Sequence, residues 1–62
     1  MKKGDWIDTP RFCKVQLDKV FQNEANAKKA GYTEPTHTRI TGYEIVGKSI
    51  DMYHMTFAAY KK

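Results

Sequence analysis

Phe12-Cys-Lys-Val-Gln-Leu-Asp-Lys-Val-Phe-Gln-Asn-Glu-Ala-Asn-Ala-Lys-Lys-Ala-Gly31 decides the fold class, because it passes from a strand pattern to a helix pattern in one short run. In its first half Cys13, Val15 and Leu17 alternate with Lys14, Gln16 and Asp18, which is the two-residue period of a half-buried strand. That register places the Cys13 thiol inward, as a small hydrophobe. The phase slips at Lys19, since Val20 and Phe21 are both apolar, so the strand is expected to bend or end there.

In the second half Asn23 can cap a helix, Glu24 suits the positive end, Lys28 and Lys29 suit the negative end, and Gly31 can take the left-handed C-terminal position. Isolated helices below roughly 12–15 residues are marginal in water, so this one must dock through Ala27 and Ala30. Tyr32 then turns back onto the core.

Upstream, Trp6 and Ile7 form a short extended segment, and Asp8 to Arg11 read as a turn in which Pro10 fixes φ. Downstream, Thr33-Glu-Pro-Thr-His-Thr-Arg39 has no period and reads as a surface connection around Pro35. Two alternating runs follow. Tyr43, Ile45 and Gly47 face one way, and beyond a turn near Asp51 and Met52 so do Met55, Phe57 and Ala59.

The order strand, strand, helix, strand, strand leaves no room for a parallel crossover within either hairpin. It predicts an α+β domain: an antiparallel sheet of three or four strands with one short helix on a face. The alternative is a small SH3-like barrel with an inserted helix, suggested by Lys3-Gly-Asp-Trp-Ile7 and the turn after it.

Sixty-two residues bound one domain, spanning residues 1–62. A chain this short buries only about 60% of its unfolded surface, so its stability is expected to be small. The single Cys13 excludes an internal disulfide and, with no apolar leader-like run, points to a reducing cytoplasm. No apolar stretch approaches the roughly 20 residues needed to cross a bilayer as a helix, so no membrane partner is expected.

The formal charge of +4 arises from eleven Lys and Arg against seven Asp and Glu, and Lys2, Lys3, Lys61 and Lys62 account for the whole excess. If the first and last strands were neighbours, those four lysines would merge into one patch, extended by Arg11 and Lys14 and then by Lys28 and Lys29. Such a patch attracts phosphates, and exposed aromatics such as Phe12, Tyr53 or Tyr60 could stack on bases. The competing reading is a protein partner or a second copy, held at a sheet edge or an apolar patch.

Catalytic and cofactor chemistry find little support. Cys13, His37 and His54 lack the paired spacing of metal ligands. The acidic residues are scattered, and a buried-facing Cys13 is no nucleophile. Gly42-x-x-x-x-Gly47-Lys48-Ser49 satisfies the bare phosphate-loop pattern, but Ile50 to Tyr60 reads as strand where a working loop needs a helix. A strand glycine at a bulge or close approach is the physical reading instead. No enzyme, metal or cofactor is therefore expected.

Gly4-Asp-Trp6, Thr9-Pro-Arg-Phe12, Ala30-Gly-Tyr-Thr-Glu-Pro-Thr-His37, Gly47-Lys48 and Phe57-Ala-Ala-Tyr60 together resemble short bacterial proteins often found among mobile-element genes. That resemblance spans most of the chain. It implies a small cytoplasmic protein in a setting where DNA-associated roles are common, and it assigns no catalytic residue or ligand.

Overall fold

A computed structural model describes residues Met1–Lys62. The alternating runs become strands β1 (Trp6–Thr9), β2 (Cys13–Phe21), β4 (Tyr43–Ser49) and β5 (Met55–Lys61), and the capped run becomes helix α1 (Glu24–Lys29). A further strand, β3 (Glu34–Ile40), occupies the segment expected to be a surface connection. The strands form one curled sheet in the order β1-β2-β5-β4-β3, a half-barrel in which β1 and β3 approach each other.

Two expectations are corrected. The sheet has five strands, and it is mixed: β2 and β5 run parallel while the other neighbours are antiparallel. The parallel pair needs no crossover inside a hairpin, because α1, β3 and β4 together form the return that sets β5 beside β2. Of the alternative small barrel the structure has the curl without the closure.

β3 lacked a visible period because its inward residues, Thr36 and Thr38, are polar yet buried. Its Pro35 sits on an edge strand, where a missing N–H is tolerated. The Thr36 hydroxyl donates to the Ile45 carbonyl at 3.0 Å and accepts from the Thr38 N–H at 3.3 Å, which satisfies it inside the sheet.

Because β4 and β5 are central, both of their faces are buried. Ile45, Phe57 and Ala59 join Ile7, Val15 and Leu17 in the hollow of the half-barrel. Val46, Ala58 and Tyr60 join Ala27 and Tyr32 beneath the helix. Ala27 and Ala58 have no exposed surface, and their small side chains let the helix lie close to the sheet. Asn23 accepts from the Asn26 N–H at 2.9 Å, Gly31 takes φ of +95°, and the Tyr32 N–H returns to the Ala27 carbonyl at 3.0 Å.

The phase slip at Lys19 is a register shift between Leu17 and Lys19, which keeps Leu17 and Val20 both against the hollow. Cys13 departs from its expected place. It is exposed with φ of +61°, and this left-handed backbone turns its side chain out of the alternation set by Val15 and Leu17. Phe12 fills the vacated position, its ring 5.2 Å from that of Phe57. Thr9 holds the turn, accepting from the Phe12 N–H at 2.9 Å and donating to the Cys13 carbonyl at 2.8 Å.

Candidate functional site

The acidic side chains are almost all engaged within the fold. Asp5 accepts from the Lys2 N–H, Asp18 from the Tyr32 hydroxyl at 2.9 Å, and Glu24 pairs with Lys28 at 3.4 Å. Glu34 pairs with Arg11 at 3.8 Å across the open side of the half-barrel. The largely buried Glu44 carboxylate holds Arg39 at 3.2 Å and Lys62 at 4.0 Å. Asp51 is bound to backbone amides and to His54 within its own turn. Only Asp8 makes no such bond, and it stands opposite Lys14 in the β1–β2 ladder.

The cations divide differently. Lys2, Lys3, Lys14 and Lys61 from the expected set carry no ion pair, and neither do Lys19 and Lys29. Arg11 and Lys62 are the two members of that set already committed to carboxylates. Arg11 also lies over the Phe12 ring, 5.2 Å from its centroid.

These lysines do not merge into one patch. β2 separates β1 from β5. Lys3 borders a depression of about 290 Å³ with Gly4, Gln16, Leu17, Asp18, Met55 and Thr56, at the start of β5. Lys61 lies at the end of that strand, about 16 Å beyond Thr56 at roughly 3.3 Å per residue. Lys14 stands on the hairpin between β1 and β2, apart from both.

Lys61, like Lys3, meets a concavity, and its own is the more voluminous of the two. Its register partner is Tyr43, and with Val20, Phe21 and Gln22 they line a mouth of about 450 Å³ at the lower end of the half-barrel. No carboxylate lines this mouth. Its surface is apolar at Val20, Phe21 and Tyr43, with a cation and an amide at the rim.

The opposite end of the β4–β5 hairpin carries a feature that no spacing rule reveals. Ile50, Met52 and Tyr53 are 56%, 86% and 86% exposed within one turn. Asp51 fixes that turn, accepting from the Tyr53 and His54 N–H groups at 2.8 Å each. Those bonds, led by the Tyr53 amide and followed by the His54 ring, hold the Asp51 carboxyl below its ordinary 3.8. Of the aromatics considered for stacking, Tyr53 is exposed, Phe12 half-buried and Tyr60 buried.

Behind the sheet, burial beneath the helix pushes the Tyr32 phenol above its ordinary 10.0, with Asp18 reinforcing the shift against Thr56. Tyr60 is raised by burial and by Glu24. Lys48 lies over the Tyr32 ring at 5.7 Å. The Gly42–Ser49 pattern is a hairpin turn followed by β4: Gly42, with φ of +77°, makes the turn, and Gly47 lies in the strand under Met55 and Phe57. No helix follows it to cradle a phosphate.

No group of three or more His, Cys, Asp or Glu side chains converges as metal ligands would, and no helix is long and apolar enough to cross a membrane. Compared with protein-family models, with curated proteins and with solved structures, the chain matches none.

Proposed function

We propose that this protein is a non-enzymatic binding module, an accessory nucleic-acid-binding protein that contacts phosphates through Lys2, Lys3, Lys14 and Lys61. The observation that carries this reading is the charge left unpaired: Glu24, Glu34 and Glu44 are held in ion pairs with Lys or Arg, while Lys2, Lys3, Lys14 and Lys61 make none. Phosphate oxygens are the chemistry such groups recognise. Arg11 and Lys62 act chiefly within the fold, through Glu34 and Glu44, and contribute less. Because the lysines are dispersed around β1, β2 and β5, contacts are spread along a backbone rather than focused on one base pair. Binding without strong sequence preference follows.

Pairing at a sheet edge, the competing mode, has weaker support. β1 is four residues long, and β3 carries Pro35 and an irregular register around His37, whose φ is +62°. Short strands, proline and bulges are the devices that keep an edge from recruiting another strand.

The test is an NMR titration of isotope-labelled protein with short mixed-sequence DNA and RNA at about 50 mM and about 200 mM salt, a range over which phosphate contacts lose much of their affinity. Shifts grouped at Lys2, Lys3, Lys14 and Lys61, and weaker at the higher salt, are expected. An unchanged spectrum at the lower salt overturns the reading.

A further inference from the structure

The β4–β5 hairpin presents an apolar tip at one end and opens at the other onto a mouth that combines apolar walls with a polar rim. At the tip, the Ile50 N–H donates to the His54 carbonyl at 3.1 Å and the Ser49 hydroxyl to the Asp51 carbonyl at 3.0 Å. The Asp51 carboxylate bonds to two amides and contacts His54 Nδ1 at 3.0 Å. This turn is ordered before it meets anything, yet Met52 and Tyr53 pack on nothing in their own chain. A pre-ordered element loses little conformational entropy on docking, which is the general advantage of preorganised contact loops.

The mouth has the complementary character. Val20, Phe21 and Tyr43 give it apolar walls, Lys61 stands at the rim, and its volume of about 450 Å³ falls within the roughly 300–1,000 Å³ of pockets that enclose compact groups. The tip carries the acid Asp51 among apolar residues, and the mouth carries the base Lys61 among apolar residues. A tip cannot reach the mouth of its own chain, since a seven-residue strand holds the two about 23 Å apart.

We infer that the tip of one copy seats in the mouth of a second copy, with Met52 and Tyr53 against Val20, Phe21 and Tyr43, and Asp51 near Lys61. The contact is head-to-tail, so it builds chains or rings rather than a closed symmetric dimer. It is also small, and belongs with weak, transient interfaces. Apolar burial and the Asp51–Lys61 pair share the contact, so raised salt weakens it less steeply than it weakens phosphate contacts, while a charge reversal at Lys61 sets two anions against each other and abolishes it.

Analytical ultracentrifugation of the full chain from about 10 μM to about 1 mM tests this, in roughly the concentration range where weak interfaces populate. The expected result is a mass that rises above 7.2 kDa and continues past the dimer. The double variant Met52→Ser, Tyr53→Ser removes the tip, and Lys61→Glu reverses the charge at the mouth. All three positions are exposed, so both proteins should keep the parent's amide spectrum outside the altered sites. Each alone should stay monomeric. Mixed, they should form a one-to-one dimer and nothing larger, because one tip and one mouth remain intact. A parent monomeric at about 1 mM overturns the inference, as does a tip variant that associates like the parent, or a mixture that stays monomeric.

Discussion

Replacing Gly47 by alanine should destabilise the fold through one methyl group. Gly47 pairs with Phe57 across the β4–β5 ladder. A Cβ built there lies 2.8 Å from Met55 Cε, 3.1 Å from Phe57 Cε1 and 3.4 Å from Phe57 Cδ1. Met55 Cε is the end of a flexible side chain and can swing aside. The Phe57 ring is less free, because it packs against Phe12 and fills the hollow with Leu17 and Ile45. Overpacking of this kind costs roughly 1–3 kcal/mol. Alanine returns about 0.4–1 kcal/mol by narrowing the unfolded ensemble. The net expectation is a loss of about 1 kcal/mol, a sizeable share of the roughly 3–5 kcal/mol available to a domain this small. Urea unfolding followed by far-ultraviolet circular dichroism measures it, and a thermal scan should fall by about 4–8 °C per kcal/mol. A double-mutant cycle with Phe57→Leu isolates the clash as a coupling energy of about 0.5 kcal/mol or more. A Gly47→Ala protein as stable as the parent would refute the close approach, and with it the structural reason for a glycine in that phosphate-loop-like pattern.

Three further outcomes follow from single positions. Thr38 is 9% exposed and its hydroxyl has no partner, so Thr38→Val should stabilise by about 1 kcal/mol in the same urea assay; a loss would mean that the hydroxyl is satisfied. The exposed Cys13 thiol should react with one equivalent of a disulfide reagent without denaturant, and Cys13→Gly should raise stability by about 1 kcal/mol by relieving the φ of +61°; a thiol protected until unfolding contradicts the placement. Tyr32 and Tyr60 have phenols raised above 10.0, so the unfolded chain loses these protons first as pH climbs. The stability they support is intact below pH 10 and is lost as pH rises through the higher folded values. Tyr32→Phe should cost about 1 kcal/mol at neutral pH and flatten the alkaline decline, whereas an unchanged alkaline limb would contradict the shift.

The elements that could be read from the chain are those whose inward residues are apolar. β2 showed itself through Val15 and Leu17, the closing hairpin through Ile45, Phe57 and Ala59, and α1 through its Asn23 and Gly31 ends. β3 stayed hidden because its buried residues, Thr36 and Thr38, are polar and show no apolar period, and because Pro35 resembles a loop signal. The parallel β2–β5 pair was invisible for a different reason. It depends on where three intervening elements carry the chain, which no local period records. Cys13 breaks the strand period because a left-handed residue just after a turn leaves no periodic trace in the sequence. The lysines were visible as charges, but their separation by β2 and along β5 is a property of topology. The apolar tip and the mouth have no spacing signature at all, since each is defined by what the fold leaves uncovered.

The central claim is that free lysines bind phosphates, and the salt dependence of nucleic-acid affinity tests it most directly. With up to four lysines engaged, log K against log salt should fall with a slope of about −3 to −4 on duplex and somewhat less on a single strand. Replacing Lys61 by alanine should flatten that slope by about one. A slope near zero, or the same slope after Lys61, Lys2 and Lys3 are all replaced, would contradict it.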